Sequence, residues 1–377
     1  MRFVPRNSFL EFIPATKCLN LIPVLPRKTS SQTFSEFPAP ALRAALLAWY
    51  RANKRDLPWR GTRNPYAIWV SEIMLQQTRV AAVLDHYAVF LERFPTILSL
   101  ALASEQDVLA IWSGLGYYRR ARLLHQAAQH LLAHNQATLP TTAAELRRLP
   151  GIGAYTAAAI SSIAHNEPAA VVDGNVERVL SRLAGWGEDT PGLRRKIEDL
   201  AAYLLDSAHP GDFNQAMMEL GATVCLPRNP QCASCPLHSV CETRGEHHTT
   251  PRPKMQTRPI GYALALRTPR KRNHDAQAEQ EILLEQRHAA QTVMPLLWEL
   301  PMLQSPEVPA EHLATTARHS IMQVNYDVRI RTTTAPSINA LTVAGGDRRW
   351  VPLSETVTLP LTGLTRKVLT RLKLLPK

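Results

Sequence analysis

Leu149-Pro150-Gly151-Ile152-Gly153-Ala154-Tyr155-Thr156, an Ala-rich run to His165, and then Val171-Val172-Asp173-Gly174-Asn175-Val176-Glu177 form the stretch on which the fold turns. A Pro-Gly-x-Gly turn between two helical patterns removes side chains where a backbone must approach something closely. It also leaves consecutive N–H groups at the start of the second helix, and such a nest suits a phosphate, so Gly151 and Gly153 are candidate backbone contacts to a polyanion. An isolated turn of this kind reads equally well as an ordinary helix C-cap and loop. Asp173 adds weight to the first reading, because a lone carboxylate follows one short helix later at a position suited to cap the next.

The chain has 377 residues, which is long for one hydrophobic core, so two domains are expected. Apolar content of 45% with 6% aromatics fits a soluble, helix-rich protein. No run approaches the roughly 18 apolar residues a membrane span requires, so neither an integral membrane protein nor a membrane partner is expected. A formal charge of +12 points toward polyanions, but residues 38–249 carry only +1 and residues 250–377 carry +8. The middle of the chain must therefore bind DNA, if it does, through local patterning and backbone amides, while the last third supplies a sequence-independent attraction.

Residues 1–37 lack sustained periodicity and read as a disordered extension. Their basic, acid-poor composition also suits an organellar transit peptide, against which stand Glu11 and the prolines Pro5, Pro14 and Pro23. Residues 38–243 read as all-α, with helices near 41–50, 66–78, 80–93, 105–113, 119–134, 174–184, 192–206 and 213–224. Pro65 suits a first helical turn, and Thr142-Ala143-Ala144-Glu145 is a capping box opening the helix before the Pro-Gly turn. Residues 244–258 form a polar linker, and 259–377 a smaller α+β domain with strands near 260–266, 282–286, 324–332 and 349–351 and a closing helix at 364–374.

Cys225, Cys232, Cys235 and Cys241 have the spacing C-x6-C-x2-C-x5-C. Four soft, anionic thiolates on one tight loop can hold a [4Fe-4S] cluster without another protein ligand. Zinc ribbons usually present two C-x2-C knuckles, and here there is one. Clustering of this kind points to a metal in a reducing compartment rather than a disulfide framework, so a cytoplasmic protein is expected, nucleoid-associated if the polyanion it meets is DNA. Arg228 in the loop is a candidate phosphate contact, and Cys18 carries no functional inference.

Glu72 lies in Trp69-Val70-Ser71-Glu72-Ile73-Met74-Leu75-Gln76-Gln77-Thr78. Periodicity alone favours a solvated helix face for it. Burial in such apolar company would instead raise its pKa and suit a general acid. Asp173 reads as an N-cap and, compatibly, as an anion placed beside developing positive charge. N-glycosidic cleavage needs both, since the base must be protonated to leave and the sugar left behind has oxocarbenium character.

The hairpin, Asp173 and the cysteine loop resemble those of the helix-hairpin-helix DNA glycosylases that include endonuclease III. Pro58-Trp59-Arg60, Asn64-Pro65-Tyr66, the segment from Trp69 to Thr78, Gly114-Leu115-Gly116-Tyr117-Tyr118 and Val172-Asp173-Gly174-Asn175-Val176 are similar to those of the MutY-type adenine glycosylases. The resemblance covers roughly Leu42 to Val240. It implies two all-α lobes with a [4Fe-4S] loop, and Tyr155 in the place of the Schiff-base lysine of the endonuclease III branch, hence a monofunctional enzyme that uses water. It further implies that Glu72 protonates adenine at N7, Asp173 stabilises the sugar cation, and Asn175 and Tyr155 support the site. Gln77, Thr78, Leu115 and Tyr117 would contact or wedge the duplex; without the resemblance Tyr117 reads as a core aromatic. Trp59, Arg60 and Gln215 would line the adenine pocket.

Leu284-Glu285-Gln286-Arg287, Leu297-Trp298-Glu299-Leu300-Pro301 and Arg349-Trp350-Val351-Pro352-Leu353 resemble the Nudix-like lesion-recognition domain of the same family. No acidic metal-binding run follows Pro301, so hydrolysis of nucleoside diphosphates is not expected. The family's lesion-reading loop falls at Ser320-Ile321-Met322-Gln323, where this chain departs from the usual Phe-Ser-His. The expectation is a monomeric base excision repair enzyme acting on double-stranded DNA with 8-oxoguanine:adenine or guanine:adenine mispairs. The alternatives are an endonuclease III-like pyrimidine glycosylase with lyase activity and a non-catalytic iron–sulfur DNA-binding protein.

Overall fold

A computed structural model describes residues 34, 37–246, 254–269, 279–321, 323–343 and 345–375. Most of the expected N-terminal extension, Cys18, part of the linker, and Met322 lie outside the described residues. Among the described residues no helix is long and apolar enough to cross a membrane.

The helical part runs through α1 (Ala39–Asn53), α2 (Pro65–Leu75), α3 (Val80–Arg93), α4 (Ile97–Leu102), α5 (Glu105–Trp112), α6 (Arg119–Ala133), α7 (Ala143–Leu146), α8 (Ala154–His165), α9 (Gly174–Leu183), α10 (Leu193–Leu204) and α11 (Pro210–Thr223). Helix α2 begins where expected: Pro65 fixes its first turn, and the Asn64 side chain accepts from the amides of Tyr66 and Ala67 at 2.9 and 3.2 Å. Every residue from Tyr66 to Met74 is buried, so α2 is a core helix rather than an amphipathic surface one. It ends at Leu75 and not at Thr78, because its last carbonyls are satisfied from outside. The Arg120 guanidinium donates to the carbonyls of Ile73, Met74 and Gln76 at 2.8, 2.8 and 2.5 Å. Helix α4 went unread: it is only six residues long, and its capping box uses Thr96 and Ser99 rather than an acid.

Two glycines seat α11 between its neighbours. A Cβ at Gly211 would stand 2.7 Å from the Ser162 carbonyl oxygen on α8, and one at Gly221 would stand 2.6 Å from the Asn175 Cβ on α9. Only a missing side chain permits this approach, which brings the start of α9 against the helix that leads into the cysteine loop.

The sheet part contains β1 (Gln256–Arg267), β2 (Glu281–Gln286), β3 (Trp298–Glu299), β4 (Leu313–Ile321), β5 (Val324–Thr333) and β6 (Arg348–Pro352), with α12 (Ile338–Leu341) and α13 (Gly363–Arg371). Strand order is β3-β2-β1-β5-β4, with β6 also paired to β2. The β1–β5 pair is parallel over ten register positions and the other pairs are antiparallel. Strand β1 starts at Gln256, inside the stretch read as linker. Strand β4 gave no sequence signal, because only Ala317 in it is buried and no alternation of apolar residues results.

The sheet part is fastened to the helical part at the α5–α6 turn. Ser113 Oγ and Tyr118 OH both donate to the Leu361 carbonyl, at 3.1 and 2.8 Å, and Arg366 on α13 donates to Ser113 Oγ at 3.0 and 3.1 Å. Arg122 on α6 donates to the Pro295 carbonyl at 2.5 Å, and Leu297 is buried within the helical core.

Overpacking at either α11 glycine should be felt globally. Gly211→Ala and Gly221→Ala are each expected to destabilise by about 1–3 kcal/mol in chemical or thermal unfolding. Gly61→Ala, whose Cβ would meet nothing within 4 Å, should be close to neutral.

Candidate active site

Glu72 projects from the middle of α2 and is 6% exposed, so the solvated face favoured by periodicity is overturned. The reason is that α2 packs against other elements on all sides, which leaves no polar face to read. Tyr155, in the first turn of α8, donates its hydroxyl to Glu72 Oε2 at 2.5 Å. Burial pushes the Glu72 carboxyl above the usual carboxylate range; the Tyr155 hydrogen bond and the Arg60 charge oppose the rise and the Asp173 charge adds to it. Burial also raises the Tyr155 hydroxyl well above the ordinary phenol range, helped by the Glu72 and Asp173 charges.

Asp173 caps α9, accepting from the amides of Asn175 and Val176 at 3.0 and 2.7 Å. Asn175 Nδ2 donates to the other Asp173 oxygen at 2.9 Å. Asn175 is itself held by Arg178 at 2.9 Å, and Arg178 also donates to the Cys225 carbonyl at 2.8 Å. Glu72, Tyr155, Asp173, Asn175, Trp59, Arg60, Gln215 and Thr78 line a single cavity of about 180 Å³. The two carboxylates, about 100 residues apart in the chain, thus share one space. Trp59 is buried edge-on against Tyr87, with ring centroids 5.2 Å apart.

Arg60 reaches Tyr50 OH at 2.8 Å, Gln215 Oε1 at 3.3 Å and Glu219 Oε2 at 2.7 Å. Glu219 is fully buried and also binds Arg55 Nε at 2.6 Å. Burial works to raise the Glu219 carboxyl, but the hydrogen bonds and charges of Arg55 and Arg60 outweigh it and hold the group below its ordinary range. Sequence reasoning missed Glu219; the available signal was a carboxylate set in Ala216-Met217-Met218-Glu219-Leu220. Met218 was missed as well, and its Sδ lies 3.5 Å from Tyr155 OH.

The expected duplex contacts divide. Tyr117 is 56% exposed with φ +48°, so it is a presented aromatic and not a core one. Gln77 is exposed with φ +55°, and Thr78 lies half-buried beside it. Leu115, expected alongside them to contact or wedge the duplex, is 6% exposed, with its side chain packed in the helical core. Gly151 takes φ +74°, and a Cβ there would stand 2.6 Å from the Leu123 Cβ; Gly153 is extended, with open space around it.

Arg120 ties these pieces together, and no motif announced it. Besides the α2 carbonyls, it donates to Thr78 Oγ1 at 3.0 Å and to the Gly116 carbonyl at 3.2 Å, and it lies over the Trp112 and Tyr117 rings at 5.5 and 5.4 Å. Burial lowers its pKa to about 10. One guanidinium therefore joins the helix bearing Glu72, the turn with Gln77 and Thr78, and the loop that presents Tyr117.

Cys225, Cys232, Cys235 and Cys241 line a small cavity of about 30 Å³. Arg182 Nη1 donates to Cys225 Sγ at 3.4 Å and to the Leu226 carbonyl at 2.6 Å. Burial, with the three neighbouring thiols, pushes the Cys235 thiol up to about 11. Among the described residues no group of three or more His, Cys, Asp or Glu side chains is set to hold a metal ion. Arg228 is exposed on the loop.

Ser320 and Ile321 are the last residues of β4, paired with Asn325 and Val324 of β5, so the expected lesion-reading loop is a tight hairpin end. Ser320 donates to Asn325 Oδ1 at 2.6 Å, and Gln323 is exposed at the turn. None of the three lines the cavity of Glu72 and Asp173.

Residues 70–202 match the family model described as HhH-GPD superfamily base excision DNA repair protein. The chain is 47% identical over 215 residues to the adenine DNA glycosylase of Homo sapiens, covering 54% of this chain and 39% of that protein. It is 42% identical over 200 residues to the adenine DNA glycosylase of Mycolicibacterium smegmatis, covering 53% of this chain and 68% of that one. The curated relatives are thus spanned over 39% to 68% of their length in these two cases. Among solved structures, that of a thermostable thymine-DNA glycosylase superposes with a TM-score of 0.51 at 28% identity, over 55% of this chain and 96% of the other.

Two outcomes follow from the site geometry. A Glu whose folded pKa is raised adds stability below its unfolded value, about 4.3, and loses it as pH rises through the folded value. Glu72→Gln should therefore melt higher than the native chain at pH 8, with the difference shrinking toward pH 5, as followed by thermal unfolding across that range. Arg120→Leu leaves several buried carbonyls without a donor, and a loss of at least about 1–3 kcal/mol is expected in denaturant unfolding.

Proposed function

Because the chain belongs to the adenine DNA glycosylase family, we propose that it is a monofunctional base excision repair enzyme acting on adenine paired with 8-oxoguanine and, less efficiently, with guanine. The observation that carries this reading is the single cavity shared by a buried proton donor, Glu72, and a rigidly capped anion, Asp173.

The target nucleotide has to leave the helical stack, which costs a few kcal/mol and least at a mispair. Trp59 offers the extruded base an aromatic wall, while Arg60 and Gln215 offer hydrogen-bonding groups. Glu72, whose protonated form burial favours, passes its proton to N7 of adenine. The bond between C1′ and N9 then breaks, with its electron pair going to N9, so the base leaves neutral. Positive charge left on C1′ and the ring oxygen is met by the Asp173 carboxylate, which Asn175 and two backbone amides hold in place. Water adds to C1′ and gives up its proton to the Glu72 carboxylate, restoring the acid. Tyr155 orients Glu72 through its hydrogen bond. Among the described residues lining the cavity there is no lysine, so no amine is at hand to form a Schiff base and cut the strand.

The four cysteines line one cavity with Arg182; they are not grouped to hold a single metal ion, but four soft thiolates beside a neutralising guanidinium have the donor chemistry of a [4Fe-4S] site. Cys225, Cys232, Cys235 and Cys241 would hold it, and the bound cluster would clamp the loop without entering the cleavage chemistry. The exposed hairpin at Gln323 would face the base opposite the adenine. The protein would act as a monomer on the chromosome in the cytoplasm.

A single-turnover assay on duplex containing 8-oxoguanine:adenine tests the reading. Base release with strand breakage only after alkali is expected; breakage without alkali would favour a lyase, and an intact strand under both conditions would reject the enzyme assignment. Glu72→Gln should lower excision by about 10²–10⁴-fold while duplex binding persists. Excision by the native chain should also fall as pH rises through the elevated Glu72 pKa.

A further inference from the structure

Helix α13 carries Arg366, Lys367 and Arg371, and with Gly114 and Thr370 these line an open groove between the sheet part and the loop that presents Tyr117. Each cation is anchored to a neutral acceptor. Arg366 donates to Ser113 Oγ at 3.0 Å, Lys367 to the Arg318 carbonyl at 2.6 Å, and Arg371 to the Thr316 carbonyl. Among the described residues no carboxylate pairs with any of them. Helix α10 makes the contrast: its Arg194 and Arg195 lie 2.6 and 3.8 Å from Glu198 and Asp199 on the same helix, so that surface is self-neutralised. On α13 the positive charge is fixed in position, retains N–H groups beyond those used, and has no counter-ion among the described residues.

The location matters as much as the charge. Its lining includes Gly114, three residues before the exposed Tyr117. It also includes Gly363, where a Cβ would stand 3.8 Å from His319, on the strand that runs into the Gln323 hairpin. The groove therefore lies beside segments that lead to exposed side chains suited to a duplex, and it carries the sign of charge that phosphates require.

We propose that the α13 groove is a docking surface for the phosphate backbone of the DNA duplex, with Lys367 and Arg371 as direct contacts. This rests on the adenine glycosylase reading, and it adds a surface outside the Glu72 cavity. It also places phosphate contacts on the helix that fastens the sheet part to Ser113, so the backbone would be gripped at the junction of the two parts.

The test is equilibrium binding of the full chain to an 8-oxoguanine duplex whose target adenosine is 2′-fluorinated to prevent cleavage, measured from 50 to 200 mM KCl. Each phosphate contact contributes a slope of about −0.9 to log K against log salt, or roughly a threefold loss over that fourfold range. The Lys367→Gln/Arg371→Gln variant should bind with a slope shallower by about 2. Its single-turnover excision rate at saturating enzyme should stay within about twofold of the native chain. Arg194→Gln/Arg195→Gln should leave the slope unchanged. A native slope in the α13 variant, with excision intact, overturns the groove and leaves the glycosylase reading standing; a native chain that neither binds nor excises overturns both. Should Arg371→Gln unfold the sheet part, Lys367→Gln alone should reduce the slope by about 1, and no reduction overturns the proposal.

Discussion

One carboxyl kept out of water governs the architecture. Glu72 sits on a buried helix, with a phenol hydrogen bond on one oxygen and its carboxyl lining the cavity. An ionised carboxylate in such a place would be costly, so the group holds its proton at pH values where a surface glutamate has lost it. That reserve of acidity needs the cavity wall to stay closed and rigid. The surrounding helices supply this through packing, and a few guanidinium groups supply it through hydrogen bonds.

Those guanidiniums act as splices rather than as surface charge. Arg60 joins Tyr50, Gln215 and the buried Glu219; Arg178 joins Asn175 to the cysteine loop; Arg120 joins the end of α2 to the loops that present Thr78 and Tyr117. Each planar fork meets several acceptors from segments distant in sequence, which one ammonium could not do with the same geometry. The near-neutral balance of residues 38–249 is consistent with this, because many of the cations there are spent internally. The charge left over lies in the last third, and on α13 no carboxylate among the described residues pairs with it.

Close approach is the second constraint. Gly211 and Gly221 let α11 press against α8 and α9, and this brings Asn175 and Asp173 within reach of the space in front of Glu72. A cluster bound at the four thiols would hold the far end of the same helix. The catalytic geometry thus depends on small residues far from the chemistry as much as on the acid and the anion.

Much of this was legible in the chain. The Pro-Gly turn, the Asp173 cap, the cysteine spacing and the helix starts at Pro65 and Thr142 are local, governed by φ preference and by side chains bonding to nearby amides. The burial of Glu72 was not legible, because periodicity detects amphipathic helices and α2 has no polar face. Leu115 and Tyr117, two residues apart, have opposite environments that only the φ of +48° at Tyr117 and the packing of its neighbours decide. The roles of Glu219 and Arg120, like the β4 strand, come from partners tens to more than a hundred residues away, or from a face with too little apolar content to register. The sequence by itself determined which elements form and which chemical groups are available. The tertiary structure alone decided which groups share a cavity and which are shielded from water, because both depend on contacts between segments that no local pattern encodes.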